Sequence, residues 1–327
     1  MHAQSIGILG LGAYLPEKVL TNFDLEKIVD TTDEWIRTRT GIHERRVSEK
    51  GIATSDLASK ASLEALQNAN LKPEDLDLII CATITPDTLF PSTACYIQNK
   101  IGAKCPGFDI SAACSGFPYA LTIANGLVKS GMYKKILVIG AEVLSNFINW
   151  KDRSTCVLFG DGAGAAIIGE VNNGHGIIAT YLGADGAQTE ILKIPGGGSA
   201  IPLTVETLEA GKQYVYMEGK EVFKLAVRSM CDAIEKVVEL GGLRIEDIDC
   251  LIPHQANIRI LDAVTDRAGI PSEKVFINVN RYGNMSAAST PVALYEAVKQ
   301  GMIKKGSNVV LVAFGSGLTW AACLIKW

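Results

Sequence analysis

The alternation of apolar and polar positions along the chain predicts strands and helices in turn. Continuous apolar runs, typical of buried strands, occur at 6–10, 76–83, 135–141, 164–169, 248–252, 275–279, 309–314 and 320–325. Apolar residues three and four positions apart, as on one face of a helix, occur at 55–70, 91–101, 219–240, 257–268 and 286–300. Strands that alternate with helices in this way predict an α/β fold.

The start of the chain and one internal stretch depart from this alternation. Asn22 is expected to cap a short helix over 24–29, and Thr32 to open a second helix that carries Trp35. The stretch 189–212 is rich in glycine, proline and threonine, and it predicts a long loop.

The chain also repeats itself at a separation of about 170 residues. The repeated pairs at this separation are 129–135 with 299–305 and 75–80 with 247–252. A third pair, 159–162 with 314–317, is separated by 155 residues, so the first half carries about 15 extra residues before that turn. Three echoes in the same order predict two related α/β halves, residues 1–172 and 173–327. A separation of 170 places Cys114 opposite Asn284, and it gathers strand ends from both halves on one face, where α/β folds usually bind ligands.

Composition narrows the class of protein. Hydrophobic residues make up 48% of the 327 positions, which supports a large core and argues against disorder. The formal net charge of -4 argues against nucleic acid as the main partner, so an acidic partner would have to meet a local basic patch.

The eight cysteines form no CxxC pair and lie mostly in apolar runs, which is typical of reduced core residues and of neither a disulfide framework nor a zinc site. The N-terminus lacks the basic region of a signal peptide, and no apolar run reaches the length of a membrane span. We therefore expect a soluble cytoplasmic protein without a membrane partner.

Cys114 stands at the most distinctive point of the sequence. An apolar run ends at Ile110, small residues follow, and Cys114 precedes a helical stretch that runs to about Ser130. This pattern predicts a strand, a sharp turn and a helix with Cys114 near its N-terminus. The unpaired N–H groups and the dipole of a helix N-terminus favour a thiolate, so we expect a lowered pKa and a nucleophilic role. The alternative is a small buried core residue.

Elimination among the histidines points to His254, which alone stands where a strand gives way to a helix. The other three are His2 in the N-terminal tail, His43 among arginines and His175 in a turn. His254 and Asn284 would together bring two neutral hydrogen-bond donors to Cys114. Such donors suit the stabilisation of an oxyanion or enolate better than they suit the activation of water. A cysteine hydrolase with His254 as base and Asn284 as its orienting group is the alternative.

Three motifs resemble the signatures of the β-ketoacyl-acyl carrier protein synthase III family. They are the segments 112–117, 253–257 and 283–289, and further similarity lies at 33–41, 159–166 and 314–320. The resemblance covers the whole chain in order. It implies a thiolase-like α/β fold with duplicated βαβαβαββ halves in five α-β-α-β-α layers, and a homodimer.

The resemblance also implies a two-step reaction. Cys114 would take the acyl group from a short acyl-coenzyme A, normally acetyl-coenzyme A. His254 and Asn284 would then bind the enolate formed when malonyl-acyl carrier protein loses CO2, and 3-oxoacyl-carrier protein would result, at the start of fatty acid biosynthesis. The backbone N–H groups of Cys114 and Ser316 would hold the oxyanion. No metal or other cofactor is implied, since the coenzyme A thioesters are substrates.

Further contacts follow from the same resemblance. Coenzyme A would be bound by Trp35, Arg39, Thr40, Arg153, Gly219 and Asn257, with Trp35 and Arg153 flanking the adenine. The acidic carrier protein would meet Lys224, Arg259 and Arg267. Phe90 would enter the acyl pocket of the neighbouring subunit. The chain departs from the family at Ser316, where glycine is usual, and at Asp266, where lysine is usual.

Related activities are distinguished by single features. A thiolase needs a second active cysteine near the C-terminal turn, and 314–319 contains none. Hydroxymethylglutaryl-coenzyme A synthase needs a glutamate after the strand at 79–80, where this chain has Pro86 and Asp87. A synthase of the same fold with a longer primer or a secondary-metabolite product stays open, and a non-catalytic carrier-binding module would not need all three of Cys114, His254 and Asn284.

Overall fold

The structure is a computed structural model that describes residues 5–327. Its strands are β1 (Ile6–Tyr14), β2 (Val19–Thr21), β3 (Glu44–Arg46), β4 (Leu78–Ala82), β5 (Gly107–Ile110), β6 (Ile136–Glu142), β7 (Gly162–Glu170), β8 (Gly176–Ala184), β9 (Leu192–Lys193), β10 (Tyr216–Met217), β11 (Cys250–Pro253), β12 (Asn308–Gly315) and β13 (Thr319–Lys326). Its helices are α1 (Asn22–Leu25), α2 (Asp33–Thr40), α3 (Thr54–Asn68), α4 (Thr93–Ile101), α5 (Gly116–Lys129), α6 (Arg153–Cys156), α7 (Val205–Glu209), α8 (Gly219–Leu240), α9 (Ile258–Ala268), α10 (Val279–Tyr282) and α11 (Ser289–Lys299).

Two central sheets have matching strand orders. The first runs β1-β7-β6-β4-β5, and the second runs β8-β13-β12-β11. In the first sheet β4 is parallel to β5 and β6, while β7 is antiparallel to β1 and β6. The second repeats this arrangement, with β11 parallel to β12 and with β13 antiparallel to β12 and β8. The predicted boundary at residue 172 falls in the turn between β7 and β8, and the division into two domains stays a prediction.

The expected five layers are confirmed. Helices α3 and α4 cover the outer face of the first sheet, α5 and α11 lie between the two sheets, and α8 and α9 cover the outer face of the second. Both faces of each sheet are therefore buried, which is why strands such as β6 are apolar along their length rather than alternating.

One predicted strand is wrong. The apolar run 275–279 contributes only a single parallel bridge, from Val275 to Leu251, and helix α10 begins at Val279. The side chain of Gln255 accounts for the difference, because its Oε1 accepts the N–H groups of Asn278 and Val279 at 2.9 and 3.1 Å. These two N–H groups are therefore used by a side chain and not by a neighbouring strand.

Two other expectations need correction. The first short helix is capped by Thr21, not Asn22, because the Thr21 hydroxyl accepts the Asp24 N–H. Asn22 is buried and donates to the Ile42 carbonyl at 2.7 Å.

The predicted loop at 189–212 contains two short regular elements, β9 and α7. Strand β8 was not predicted from the sequence pattern.

The register of the internal repeat is also different from the predicted one. Short 3-10 turns at Ala113–Ser115 and Ser286–Ala288 lead into α5 and α11, and φ is +46° at both Ala113 and Ser286. These matched turns are 173 residues apart, so Cys114 is equivalent to Ala287 and not to Asn284. The separation returns to 170 at the helix ends because α5 has 14 residues and α11 has 11.

No helix within residues 5–327 combines the length and the apolar character needed to cross a membrane.

Candidate active site

A cavity of about 780 Å³ lies at the carboxyl ends of strands from both sheets. Cys114 follows β5, His254 follows β11, and Ser316 follows β12. The predicted site residues that line the cavity are Cys114, His254, Asn284, Ser316, Arg39, Gly219, Asn257 and Arg259. The structure thus brings the three proposed catalytic side chains to one cavity.

Cys114 is positioned by two turns that are bonded to each other. The Ser115 hydroxyl donates to the Thr319 carbonyl at 2.9 Å, and the Thr319 hydroxyl donates to the Ala112 carbonyl at 2.9 Å. Gly315 makes this approach possible, because a Cβ at that position would lie 2.6 Å from the Cys114 nitrogen. The backbone of Ser316 is therefore held next to the nucleophile.

The predicted lowering of the Cys114 pKa is wrong in this structure. The pKa of the Cys114 thiol is raised to about 12, mainly by burial and in part by the nearby carboxylate of Glu142. The nearby Ser286 hydroxyl and the backbone N–H of Cys114 act in the opposite direction, because both can donate to a thiolate. The Ser286 hydroxyl itself is buried and has no hydrogen-bond partner among the described residues. The side chain is only 8% exposed, so the cost of placing a charge in a dry site exceeds the benefit of the helix N-terminus.

His254 is a neutral imidazole at physiological pH. Its backbone N–H continues the sheet by donating to the Val312 carbonyl at 2.7 Å. Burial lowers the pKa of His254 to about 3. Gln255 fixes the loop behind it, since its amide donates to the carbonyls of Pro253 and Phe276 at 2.8 and 3.1 Å. The ring can therefore donate one hydrogen bond into the cavity without carrying a charge.

Asn284 presents its amide N–H group. Its Oδ1 accepts the Ser286 N–H at 2.8 Å, which leaves Nδ2 as the group able to donate to a ligand. Its backbone is bonded to the Leu158 carbonyl and the Gly160 N–H at 2.8 and 3.0 Å. Gly283 is needed just before it, because φ is +65° there and a Cβ would lie 2.7 Å from the Leu158 oxygen.

Sequence reasoning missed Glu142, a fully buried carboxylate at the end of β6. It accepts hydrogen bonds from the hydroxyls of Thr85 and Thr83 at 2.6 and 3.1 Å and from the Ile84 N–H at 3.2 Å. It makes no ion pair within the described residues, and burial raises the pKa of Glu142 to about 7. The available signal was its place directly after the apolar run 136–141.

Arginines surround Trp35 at the mouth of the cavity. The guanidinium carbons of Arg39 and Arg153 lie 4.9 and 4.8 Å from the centroid of the Trp35 ring. Arg39 also lines the cavity, and Arg153 is anchored by a hydrogen bond of 2.8 Å to the Asp30 carbonyl. Both guanidinium groups contact the Trp35 ring itself, so the binding of a flat ring between Trp35 and an arginine stays a prediction.

The other predicted coenzyme A contacts divide into two groups. Gly219 begins α8, and Asn257 caps α9 by accepting the Ile260 N–H at 3.1 Å; both line the cavity. Thr40 does not, because it is buried and its hydroxyl donates to the Ile36 carbonyl at 2.7 Å. Phe223 also lines the cavity, and sequence reasoning missed it. Its spacing of four residues from Gly219 on α8 was the feature of the sequence that could have indicated this position.

The predicted docking residues are exposed. Lys224 lies on α8 and Arg267 near the end of α9, both outside the cavity, whereas Arg259 reaches its mouth. Asp266 is exposed beside Arg267. Phe90 is 86% exposed and does not line the cavity of its own chain.

Two sheets of matching topology, with a buried cysteine, a neutral histidine and an asparagine amide on one cavity between them, define a thiolase-like α/β protein. Comparison with known proteins makes the class specific. The family model described as "3-Oxoacyl-[acyl-carrier-protein (ACP)] synthase III" matches residues 108–186, and the one for its C-terminal part matches residues 238–327.

Full-length relatives agree. Beta-ketoacyl-[acyl-carrier-protein] synthase III of Caldanaerobacter subterraneus subsp. tengcongensis is 60% identical, over 98% of this chain and 97% of the relative. The protein of the same name from Clostridioides difficile is 57% identical, over 98% of each chain. The crystal structure of 3-oxoacyl-[acyl-carrier-protein] synthase III from Aquifex aeolicus VF5 is 50% identical, has a TM-score of 0.92, and covers 98% of this chain and all of that one.

The chain belongs to the β-ketoacyl-acyl carrier protein synthase III family. The predicted family and the predicted fold class are both confirmed.

Proposed function

We propose that this chain condenses a short acyl-coenzyme A, normally acetyl-coenzyme A, with malonyl-acyl carrier protein and so initiates fatty acid biosynthesis. The products are 3-oxoacyl-carrier protein, CO2 and coenzyme A. One observation carries the proposal: Cys114, His254 and Asn284 line a single cavity, and both potential donors are neutral. The names of the relatives support the carrier-protein substrate.

In the first half-reaction the Cys114 sulfur attacks the thioester carbonyl of the acyl-coenzyme A. The sulfur–acyl bond forms, the bond to the coenzyme A sulfur breaks, and the thiol proton ends on the released coenzyme A. The backbone N–H groups of Cys114 and Ser316 bind the oxyanion. This assignment is supported by the hydrogen bonds that tie the two turns together through Ser115 and Thr319.

In the second half-reaction the malonyl thioester loses CO2 and becomes an enolate, which carries its negative charge on the thioester oxygen. His254 and the Nδ2 group of Asn284 donate hydrogen bonds to that oxygen. Neutral donors suit this step, because they stabilise the developing charge and require no proton transfer that would quench the enolate. The enolate carbon then attacks the acyl group, and the Cys114 thiolate leaves.

Binding of the two substrates uses different parts of the mouth. Trp35, Arg39 and Arg153 bind the nucleotide of coenzyme A, and Gly219 and Asn257 line the pantetheine channel. Lys224, Arg259 and Arg267 attract the acidic carrier protein. The reaction of Cys114 requires no metal or cofactor besides these substrates.

The active form is a homodimer in this proposal. Leu89 and Phe90 are 83% and 86% exposed, which is costly for two large apolar side chains in a monomer. Strand β5 forms an edge of the first sheet and carries the exposed Phe108. These features support a partner subunit that covers this side of the molecule and receives Phe90 in its acyl pocket.

The test separates the two half-reactions. Cys114→Ala is expected to abolish condensation but still to release CO2 from malonyl-carrier protein. His254→Ala and Asn284→Ala are each expected to slow decarboxylation by roughly 10²–10³-fold, as for loss of one oxyanion donor, and still to become acylated at Cys114. Intact-protein mass after acetyl-coenzyme A, with labelled CO2 release in parallel, reads both steps.

Peptide mapping identifies the acylated cysteine among the eight, and an acyl group on another cysteine with Cys114 unmodified contradicts the assignment. A His254→Ala protein that decarboxylates normally but cannot be acylated would instead establish the cysteine hydrolase arrangement, with His254 as the base for the thiol.

A further inference from the structure

One wall of the cavity is a separate piece of structure. Residues 191–217, the wall segment, contain β9, α7 and β10, and they contribute Leu192, Ile194, Val215 and Met217 to the cavity lining. Strands β9 and β10 pair only with each other among the described strands. The wall segment is therefore not part of either central sheet.

Few polar contacts attach the wall segment to the body of the molecule near the site. The Val215 N–H donates to the Phe147 carbonyl at 2.9 Å, and the Glu218 N–H closes the base of the segment by donating to the Ile191 carbonyl at 2.8 Å. The third contact is the hydrogen bond that the Ser316 hydroxyl donates to the Leu192 carbonyl. Of these three contacts, only the hydrogen bond from Ser316 connects the wall segment to the turn that holds Cys114.

The backbone and the side chain of Ser316 thus contact different parts of the molecule. Its backbone lies in the turn that approaches the Cys114 nitrogen through Gly315, and its side chain is bonded to the wall segment. A glycine at this position, which is usual in the family, has no hydroxyl and cannot make the second contact. The serine therefore links the wall segment, which lines the cavity, to the turn that carries the proposed oxyanion donor.

We infer that Ser316 is a positioning residue that holds the wall segment against the catalytic turn through the Leu192 carbonyl and thereby restricts the enzyme to short acyl primers. This inference rests on the proposed function for its substrate. Without the hydroxyl the Leu192 strand can move outward, and the apolar lining accommodates a longer acyl chain.

The experiment compares Ser316→Ala with Ser316→Thr, which keeps a hydroxyl, and with Ser199→Ala, a control that removes an exposed hydroxyl from the same wall segment. Two quantities are measured on the full-length protein: amide hydrogen exchange of residues 191–217, and kcat/KM for hexanoyl-coenzyme A relative to acetyl-coenzyme A. Loss of one hydrogen bond predicts a five- to tenfold rise, roughly, in both exchange rate and relative kcat/KM for Ser316→Ala. Ser316→Thr and Ser199→Ala are expected to behave as the wild type.

Exchange and selectivity that stay at the wild-type values in Ser316→Ala overturn the inference, as does a change of the same size in Ser199→Ala. The exchange measurement needs no turnover, so it reports on the link even if the proposed reaction is wrong. Failure of the wild-type Cys114 to become acylated would count against the proposed function alone.

Discussion

At Cys114 two unfavourable influences on the thiolate act together. Burial and the carboxylate of Glu142 both raise the pKa of the thiol, whereas the Ser286 hydroxyl lowers it. The same hydroxyl lies close enough to Glu142 to lower the pKa of that carboxylate as well. Ser286 therefore lies where it can interact with both groups, and the charge of Glu142 influences the reactivity of the nucleophile.

Replacing the carboxylate by an amide tests this coupling. In Glu142→Gln the like charge is removed, so we expect the pKa of Cys114 to fall and its alkylation by iodoacetamide to be faster than in the wild type above pH 7, where the wild-type carboxylate is ionised. The measurement is the rate of alkylation as a function of pH, followed by peptide mapping. Glu64→Gln, in a carboxylate that binds Ala13 and Tyr295 away from the cavity, is the control.

The ionisation of Glu142 also predicts a pH dependence of stability. Its pKa is raised from 4.5 to about 7 on folding, so the native state holds the proton more tightly than the unfolded state. The resulting stabilisation is complete below pH 4.5 and is lost as the pH rises through 7, a change of about 3 kcal/mol. Relative to Glu142→Gln, the free energy of unfolding of the wild type should therefore fall by about this amount between pH 4.5 and 8.

Urea denaturation of both proteins across this range gives that difference directly. A difference in unfolding free energy that is the same at every pH would show that the pKa of Glu142 is not raised in the native state above its value in the unfolded chain.

At the scale of single residues, the sequence was sufficient to identify groups that follow a strand and precede a helix, such as Cys114 and His254. It could not predict their pKa values, because the desolvation of each depends on atoms from both sheets. Glu142 and Ser286 were missed for the same reason: their proximity to Cys114 arises only when the two halves pack together. Thr40 stands in a motif of the family, but its hydroxyl is used within α2.

Among the helices, α9 has an N-cap residue that also lines the cavity. Asn257 accepts the Ile260 N–H and also lines the cavity. Asn257→Ala is expected to lower the free energy of unfolding by about 1 kcal/mol, the usual effect of losing an N-cap, and to raise KM for acetyl-coenzyme A. Thermal or urea denaturation and initial-rate kinetics measure the two effects.

Asn257→Asp separates them. The carboxylate still accepts the N–H at the helix start, so stability should be retained, while the amide donor is lost and KM for acetyl-coenzyme A should rise as in Asn257→Ala. A normal KM in Asn257→Asp would mean that the side chain caps the helix without touching the ligand.

Elements with long, regular patterns were predictable, and α8 has the predicted bounds from Gly219 to Leu240. Elements decided by tertiary hydrogen bonds were not. The run 275–279 has the composition of a strand, yet Gln255 takes two of the N–H groups beyond its middle. The register of the repeat failed at the turns before α5 and α11, because the two helices differ in length by three residues and a fixed separation cannot follow that change.

For the whole molecule, charge is the property that governs encounter with the carrier protein. The net charge is -4, so an acidic partner is repelled on average and must be attracted locally. We expect Arg259→Glu to lower kcat/KM for malonyl-carrier protein by at least tenfold at low salt and to leave the affinity for coenzyme A within about twofold. Steady-state kinetics at low and moderate ionic strength, with coenzyme A binding in parallel, measure this difference.

Lys304→Glu provides the matched control, since it introduces the same charge change at an exposed lysine just after α11. Equal losses in Lys304→Glu and Arg259→Glu would show that total charge matters and not the position of Arg259. Equal losses for both substrates in Arg259→Glu would place that side chain on the coenzyme A route.

The central helical layer has a consequence for how the chain is made. Helix α5 packs against the first sheet on one side and the second sheet on the other, and α11 completes the layer from the far end of the sequence. When the ribosome has released residues 1–172, α5 covers only part of the inner face of that half, and the area that α11 and the second sheet will cover stays bare until the remaining 155 residues follow. At usual rates of synthesis the interval is roughly 10–30 s. During it the apolar inner face of the nascent chain is exposed to water, and we expect chaperone binding and aggregation during expression to begin there.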